Sequence, residues 1–358
     1  MSTEMFIQYF FNALALGSLY GLIAIGYTMV YGILRLINFA HGDIFMLGAY
    51  FVFFSTISFM PAWAAILLLL LAVLTYYAVF IGFKRRPSTF WSGVFLILVL
   101  GFIYYFKIAP QNFTPIWILS LCFSIFITSA VGVTVDQFAY RPLRHAPRIS
   151  VLIGAIGVSF FIENLATVLF SGVPKGVKQP DFLVTPFLWH LEAGAGGIIR
   201  IAPMSLIVPM VSFVLIVSLL WIIHKTKPGL AMRAISHDIE TTRLMGVSVN
   251  KVIAFTFGIG SALAAIAGIM WSLRYPQIHP YMGVLPGLKA FIAAVIGGIG
   301  SIPGAMLGGL LLGFIEIMII AFFPALSGYR DAFAFVLLIL ILLIMPTGLM
   351  GKKSQEKI

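Results

Sequence analysis

The chain has 358 residues, of which 61% are hydrophobic and only 9% are charged, and its formal net charge is +11. A water-soluble domain does not stay in solution with this composition, which excludes a soluble enzyme or binding module and indicates a polytopic membrane protein. Nucleic acid is set aside as the partner of the positive charge, because the basic residues gather in loops between apolar segments.

Apolar runs that end at charged clusters, Pro or Gly predict an all-α, polytopic transmembrane helical bundle of about 11 spans. The predicted spans are residues 5–30, 43–60, 62–83, 89–107, 115–136, 149–171, 204–224, 252–273, 286–300, 304–323 and 331–349. The ninth is short and rich in glycine, so the sequence leaves both a crossing and a re-entrant segment open. The single cysteine, Cys122, lies in an apolar run. It predicts neither an intramolecular disulfide nor a metal site, and no cofactor is expected.

Four basic clusters fix the predicted orientation through the excess of Lys and Arg that cytoplasmic loops carry. They are Lys84, Arg85 and Arg86; Arg141, Arg144 and Arg148; Lys225, Lys227, Arg233, Arg243 and Lys251; and Lys352, Lys353 and Lys357. With all four in the cytoplasm, the N-terminus lies outside and the C-terminus inside. Residues 172–203 then form an extracytoplasmic loop, and residues 225–251 form a cytoplasmic loop. The N-terminus lacks a basic signal region, so the first apolar stretch is expected to be a retained span.

Polar residues interrupt the apolar pattern between the first two spans, where Asn38, His41 and Asp43 surround Gly42. One interpretation is a capped reversal, with Asn38 or Asp43 at a helix N-terminus. The other is a broken helix whose polar groups line a translocation path, since such groups are tolerated where they face protein or water. The sequence leaves both open.

Ionisable residues within the predicted spans are few, and the ones that stand out are Glu163, Lys289 and Glu316. Each is costly in lipid and is expected to face the interior of the bundle. The two glutamates either have a structural, hydrogen-bonded role or line the path together with Asn38, His41 and Asp43.

Small residues recur every four positions in one late span. Gly300, Gly304 and Gly308 are followed by Gly313, and the first span carries Gly17 and Gly21. Such spacing lets helices approach closely within a membrane. The packing partner is either another helix of this chain or a second membrane subunit.

The cytoplasmic segment 225–251 combines mixed charge with helix-forming residues between Pro228-Gly229 and Gly246. This pattern predicts a short helical hairpin outside the membrane, which we interpret as a docking element for a soluble partner. The chain has no phosphate-binding Gly-x-x-x-x-Gly-Lys-Ser/Thr motif, no His-Glu-x-x-His motif and no Gly-x-Ser-x-Gly elbow. It is therefore not expected to hydrolyse ATP itself, and a membrane enzyme is disfavoured.

Within this loop, Glu240-Thr-Thr-Arg-Leu-Met-Gly246 resembles the Glu-Ala-Ala…Gly loop of ABC-importer permeases, with Thr241 and Thr242 in place of the two alanines. The surrounding segments GLAMRAISHDIETTRLMGVSVNKVIAFTFGIGSALAAIAG, KAFIAAVIGGIGSIPGAMLGGLLLG, MPTGLMG and GYTMVYGILRLINFAHGDIFMLGAY resemble the H-type permease of branched-chain amino acid ABC importers. The resemblance covers most of the chain outside 84–115 and 172–203. Residues 84–115 depart from the family as an apparent inserted pair of spans, which preserves the orientation.

The resemblance implies a transport subunit of the bacterial inner (plasma) membrane rather than an enzyme. Its partners would be a second homologous permease subunit, two cytoplasmic ATP-binding subunits, an extracytoplasmic substrate-binding protein and the lipid bilayer, without nucleic acid. The predicted ATPase-coupling residues are Arg233, Asp238, Glu240, Arg243 and Gly246. The substrate would be leucine, isoleucine, valine or a related small amino acid or amide, with urea left open. Whether the permease pair is a homodimer or a heterodimer also stays open. The competing hypothesis is an ion-coupled secondary transporter of small polar solutes.

Overall fold

The computed structural model describes residues 3–56, 114–144, 146–190 and 198–351. The predicted spans 62–83 and 89–107, and almost all of the 84–115 insertion, lie outside the described residues. Each of the other predicted spans coincides with a helix. Within the described part of the chain, seven helices are long and apolar enough to cross a membrane. The chain is thus a polytopic helical membrane protein.

The long helices are α1 (Thr3–Leu34), α2 (His41–Thr56), α3 (Thr114–Val135), α5 (Arg148–Phe170), α7 (Pro203–Lys225), α10 (Val249–Arg274), α11 (Val284–Gly297), α12 (Ile302–Phe322) and α13 (Arg330–Ile344). A single turn of π-helix, Asp136–Tyr140, and the short α4 (Arg141–Leu143) extend α3 beyond its predicted end. A 3-10 turn, Pro324–Tyr329, links α12 to α13. Between α7 and α10, the predicted hairpin consists of α8 (Lys227–His237) and α9 (Ile239–Leu244).

The loop after α5 contains short ordered elements, which lie at the end of the bundle opposite the hairpin. They are β1 (Lys175–Gly176), α6 (Asp181–Val184), β2 (Phe187–His190) and β3 (Ile198–Ile201), with β4 (Gln277–Ile278) following α10. The strands pair as β2–β3 and as β1–β4, both antiparallel. Because α10 starts beside the hairpin and ends beside β4, the bundle has a hairpin end and a strand end.

Helix α1 is the centre of the bundle, and its hydrophobic residues from Ala15 to Val30 are almost all buried. It packs against α7, α10, α11 and, most extensively, α12. The contact with α12 depends on glycine: Gly17 and Gly21 of α1 face Gly309 and Gly313 of α12 backbone to backbone. Dispersion at such short range stabilises helix pairs where lipid is as apolar as the side chains.

A second glycine face of α12 packs on α11. Gly304 lies against Gly297, and Gly308 lies against the backbone of Ala293. Helix α12 begins where Ser301 Oγ accepts a 3.2 Å hydrogen bond from the Gly304 amide, and a proline occupies its first turn. Gly300 differs from the other predicted packing glycines: it lies in the preceding turn at φ +95°, with no atom within 4 Å of a Cβ built there. Its role is to shape that turn, because side-chain-bearing residues rarely adopt this conformation.

Helix α11 is too short to cross a bilayer by itself. Its 14 residues are about 21 Å long, against a hydrocarbon core of about 30 Å. The N-termini of α2 and α11 meet inside the bundle, where Gly42 contacts the backbone of Gly283 and Gly287. The chain thus has two discontinuities that face each other rather than lipid.

Replacing Gly309 by leucine tests the importance of the α1–α12 contact. A Cβ at Gly309 would meet the backbone of Gly17 and Gly21, which cannot move aside as a flexible side chain does. Overpacking costs about 1–3 kcal/mol in ordinary cores, so we expect Gly309→Leu to lower the melting temperature of the purified protein in detergent. Gly157→Leu is the control, because no atom lies within 4 Å of a Cβ built at Gly157. Equal melting temperatures for the two variants would contradict the proposed importance of this contact.

Candidate functional site

The helical structure is interrupted between α1 and α2, and the chain reverses there. Residues 35–38 are not helical, and Arg35 has a positive φ of 52°. The chain then returns towards α1, so that the imidazole of His41 lies against Gly26 and packs edge-on against Tyr27, with ring centroids 4.8 Å apart. A side chain at Gly26 would occupy the position of the His41 ring. The glycine therefore makes room for a buried polar side chain.

Asn38 is buried in this break and is hydrogen-bonded to a residue at the hairpin end of the bundle. The hydroxyl of Tyr140, in the π-turn, donates a 2.6 Å hydrogen bond to Asn38 Oδ1. Tyr140 is itself buried and packs against the ring of Phe257 on α10. Because a π-turn inserts an extra residue into a helix, it turns Tyr140 towards the break.

Asp43, in the first turn of α2, is hydrogen-bonded to a residue of α5. The hydroxyl of Ser159 donates a 2.5 Å hydrogen bond to Asp43 Oδ2. Glu163, one turn further along α5, is in hydrogen-bond contact with the Asp43 carboxyl group. The pair offers acceptor oxygens within an otherwise apolar region.

The structure thus brings together four of the five predicted path residues, Asn38, His41, Asp43 and Glu163. They lie around the meeting point of α2 and α11, where the N-termini of both helices and polar side chains lie inside an apolar bundle. Sequence reasoning missed the residues that hold them, namely Tyr27, Tyr140, Ser159, Gly283 and Gly287. Among the described residues, no group of three or more His, Cys, Asp or Glu side chains could hold a metal ion.

Glu316, the fifth predicted path residue, belongs to a separate charge cluster. Lys289 Nζ lies 2.8 Å from Glu316 Oε1 and 2.6 Å from Asp331 Oδ1. Tyr20 donates a 3.1 Å hydrogen bond to the other Glu316 oxygen, and Arg330 Nε lies 3.6 Å from Oε1. Lys289 and Glu316 are buried, Asp331 is half-buried and Arg330 is exposed. The cluster joins α1, α11, α12 and α13, so its geometry indicates a structural clamp.

The hairpin between α7 and α10 is capped at both of its helices. Thr226 Oγ1 accepts a 3.3 Å hydrogen bond from the Gly229 amide at the start of α8. Asp238 Oδ1 accepts hydrogen bonds from the amides of Glu240 (2.8 Å) and Thr241 (3.1 Å) at the start of α9. Charged and hydroxyl side chains at these positions satisfy amides that lack a partner within the helix. The hairpin is therefore an ordered element.

One side of the hairpin is anchored and the other is exposed to solvent. Met232, Ile235 and Thr242 are buried against the bundle. The five predicted coupling residues, Arg233, Asp238, Glu240, Arg243 and Gly246, are all exposed.

The tip of the hairpin was missed by sequence reasoning. Leu244 and Met245 are 87% and 81% exposed. Gly246 follows with φ +82° and ends α9, in the conformation that glycine adopts readily at a helix C-terminus. Two large apolar side chains on a rigid, capped turn, surrounded by charge, are typical of an interaction site.

A bundle of apolar helices with buried polar breaks at its centre and a rigid polar hairpin at one end defines a membrane permease. A family model described as "Branched-chain amino acid transport system / permease component" matches residues 9–342, and the chain belongs to this family. The predicted resemblance to H-type permeases of ABC importers is confirmed.

Several relatives match nearly the whole chain. The high-affinity branched-chain amino acid transport system permease protein BraD of Pseudomonas aeruginosa is 39% identical over 355 residues, or 99% of this chain and 98% of BraD. Permease protein LivH of Escherichia coli is 37% identical over 353 residues, or 99% of this chain and 98% of LivH. The ribose import permease protein RbsC of Haemophilus influenzae is 26% identical over 245 residues, or 63% of this chain and 73% of RbsC. No solved structure matches the chain.

Replacing Lys289 by methionine tests the charge cluster. The change leaves Glu316 buried without its closest cation, and breaking one side of a buried ion pair costs about 3–5 kcal/mol. We expect Lys289→Met to lower the melting temperature in detergent, and the double variant Lys289→Met/Glu316→Gln to recover part of the loss because it no longer buries that charge. Lys178→Met, at an exposed lysine, is the control. A Lys289→Met protein as stable as the control would contradict a clamp.

Proposed function

We propose that this chain is the membrane-spanning permease subunit of an ABC importer for branched-chain amino acids. The observation that carries the proposal is the hairpin α8–α9, whose capped turn exposes Leu244 and Met245 beside the predicted coupling residues. A permease of this family that lacks a nucleotide-binding motif needs a soluble partner that binds ATP. The exposed hairpin is the surface suited to bind this ATP-binding partner.

The hairpin end faces the cytoplasm in this proposal. The basic residues of segment 225–251 and the Arg141–Arg144–Arg148 group lie at this end, as the positive-inside bias requires. The strand end, with residues 172–203, then faces outward and is where an extracytoplasmic substrate-binding protein would dock. The N-terminus outside, the C-terminus inside and about 11 spans complete the arrangement. Spans 62–83 and 89–107, and the inserted pair at 84–115, stay predictions. For the ninth span, the chain enters from the strand end after α10, and α11 ends beside the start of α12, where Gly300 and Ile302 lie with Arg233 of the hairpin, which favours a crossing over a re-entrant segment.

Two cytoplasmic ATP-binding subunits would supply the energy, and a second, homologous permease would complete the path across the inner membrane. The closing of the ATPases would push the hairpin. Because α7 and α10 continue directly from the two ends of the hairpin, they would move with it. No covalent chemistry takes place on this chain, so its task is to expose the substrate alternately to the two sides.

The polar groups around the break, Asn38, His41, Asp43 and Glu163, are the part of the path that this chain would contribute. Their acceptor oxygens suit an ammonium group, and the surrounding apolar side chains suit an aliphatic one. Leucine, isoleucine and valine carry both. The transport systems of BraD and LivH are named for branched-chain amino acids, which supports the same class here. Ion-coupled transport remains the competing hypothesis, with the Asp43–Glu163 carboxyl pair as its candidate ion site.

Charging the hairpin tip tests the proposed function. We expect Leu244→Asp to abolish co-purification of the ATP-binding subunits and uptake of labelled leucine by the complex in proteoliposomes. Gly246→Val, which places a branched side chain at a positive φ, should act the same way. In the unmodified complex, unlabelled isoleucine and valine should compete with leucine, and urea should not.

The matched control is Val173→Asp, the same type of change at an exposed apolar residue of the strand end. It should leave the ATP-binding subunits attached. Normal assembly and uptake with Leu244→Asp would contradict the proposed role of the hairpin. Competition by urea but not by valine would contradict the proposed substrate class.

A further inference from the structure

The guanidinium group of Arg144 bridges two elements at the hairpin end. Its Nη2 donates a 2.5 Å hydrogen bond to Asp136 Oδ1 in the π-turn. Its Nη1 donates a 2.7 Å hydrogen bond to Asn250 Oδ1 in the first turn of α10. The Asp136 side chain is only 1% exposed and that of Arg144 11%. The three residues form a partly buried bridge between the π-turn that extends α3 and the start of α10.

On one side, this bridge reaches the coupling hairpin. Asn250 follows Gly246 by four residues and lies at the point where the hairpin becomes α10. Thr242 of α9 is buried, and the Val247 amide donates a 3.4 Å hydrogen bond to the Thr242 carbonyl oxygen. A displacement of the hairpin therefore acts directly on the first turn of α10.

On the other side, the bridge reaches the broken segment. The π-turn that carries Asp136 also carries Tyr140, whose hydroxyl donates to Asn38 Oδ1 at 2.6 Å. Asn38 lies three residues before the start of α2. A continuous series of polar contacts thus runs from the hairpin through Asn250, Arg144 and the π-turn to Asn38.

The chemistry of the bridge suits it to transmit movement. A guanidinium group is planar and holds its donors in a fixed arrangement, so its two acceptors cannot move independently without losing a charge-assisted hydrogen bond. Burial strengthens such bonds because little water competes for them. A π-turn is a local irregularity that can relax towards regular α-helix, which would rotate the residues on either side of it.

We propose that Arg144 is a positioning residue that couples the hairpin to the broken segment 35–40. Movement of the hairpin by the ATP-binding subunits shifts Asn250, Arg144 transfers the shift to the π-turn, and Tyr140 displaces Asn38. The inference rests on the proposed function, because it presupposes that a partner moves the hairpin. It adds the particular residues through which that movement reaches the path.

The test uses the assembled importer in proteoliposomes and the variant Asn250→Ala. This variant removes one acceptor of Arg144 but leaves the buried Arg144–Asp136 ion pair intact, so the fold is preserved. We expect ATP hydrolysis to continue while the amount of leucine moved per ATP falls at least about fivefold, the low end of typical coupling between sites. Tyr140→Phe, at the other end of the series, should have the same effect.

Two further variants separate coupling from stability. Asn250→Asp retains an acceptor oxygen for Arg144 and should keep the ratio of leucine to ATP. Asn164→Ala is the matched control, because its amide donates only to the carbonyl oxygen of Phe160 within its own helix. It should leave the ratio unchanged. A purely structural role would lower hydrolysis and uptake together, which would contradict the inference.

The movement of the broken segment can also be measured directly, by the rate at which a thiol placed in it is labelled. In a Cys122→Ser background, Ile37→Cys places the single thiol in that segment. In this labelled complex with Asn250 intact, we expect the rate of maleimide labelling to change when a non-hydrolysable ATP analogue binds. With Asn250→Ala added, we expect the labelling rate to lose this dependence on the nucleotide. Labelling that still follows the nucleotide in Asn250→Ala, or an unchanged leucine-to-ATP ratio, would overturn the inference alone. An importer without ATP-dependent uptake even before mutation would instead overturn the proposed function.

Discussion

The hydrocarbon core of a bilayer contains no water to pair with a bare backbone amide or carbonyl group, and this constraint shapes the whole molecule. Non-helical backbone is tolerated at that depth only inside the protein. The break after α1 and the start of α11 satisfy it by meeting each other, with Gly42 against Gly283 and Gly287. The glycine contacts of α1 with α12 let the helices around them pack closely enough to exclude lipid.

The same arrangement gives the permease its two working parts. The buried break concentrates polar groups at one place. Asn38 accepts a hydrogen bond from Tyr140, and Asp43 accepts one from Ser159 on a different helix. The hairpin is rigid because its helices are capped, and its exposed tip is apolar. A permease whose energy comes from ATP hydrolysed on other chains requires two such parts. One is a rigid element at the end of the bundle that a partner can move, and the other is a discontinuity at the centre of the bundle. The Lys289–Glu316 cluster clamps α13 to the bundle and stands apart from both.

The sequence predicted the described helices well, because apolar runs and their Pro, Gly and charged ends depend on local composition. It also placed the break and the hairpin, since Asn38, His41 and Asp43 interrupt an apolar run and Gly246 ends a charged one. The partners of these residues could not be predicted. Ser159 and Asp43 are 116 positions apart, and Arg144 and Asn250 are 106 apart. Such pairs arise from tertiary packing, which leaves no periodic signal. Leu244 and Met245 were missed for a related reason, because an apolar residue beside a span is ordinarily expected to be buried.

The central claim is that energy enters through the hairpin from ATP hydrolysed on other chains. The most direct test compares leucine accumulation in proteoliposomes that contain this chain and its partner permease, with the substrate-binding protein supplied, in the presence and absence of the ATP-binding subunits. We expect uphill accumulation only when active ATP-binding subunits and ATP are present, and none from an imposed proton or sodium gradient. Accumulation by the membrane subunits alone, driven by such a gradient, would contradict the account.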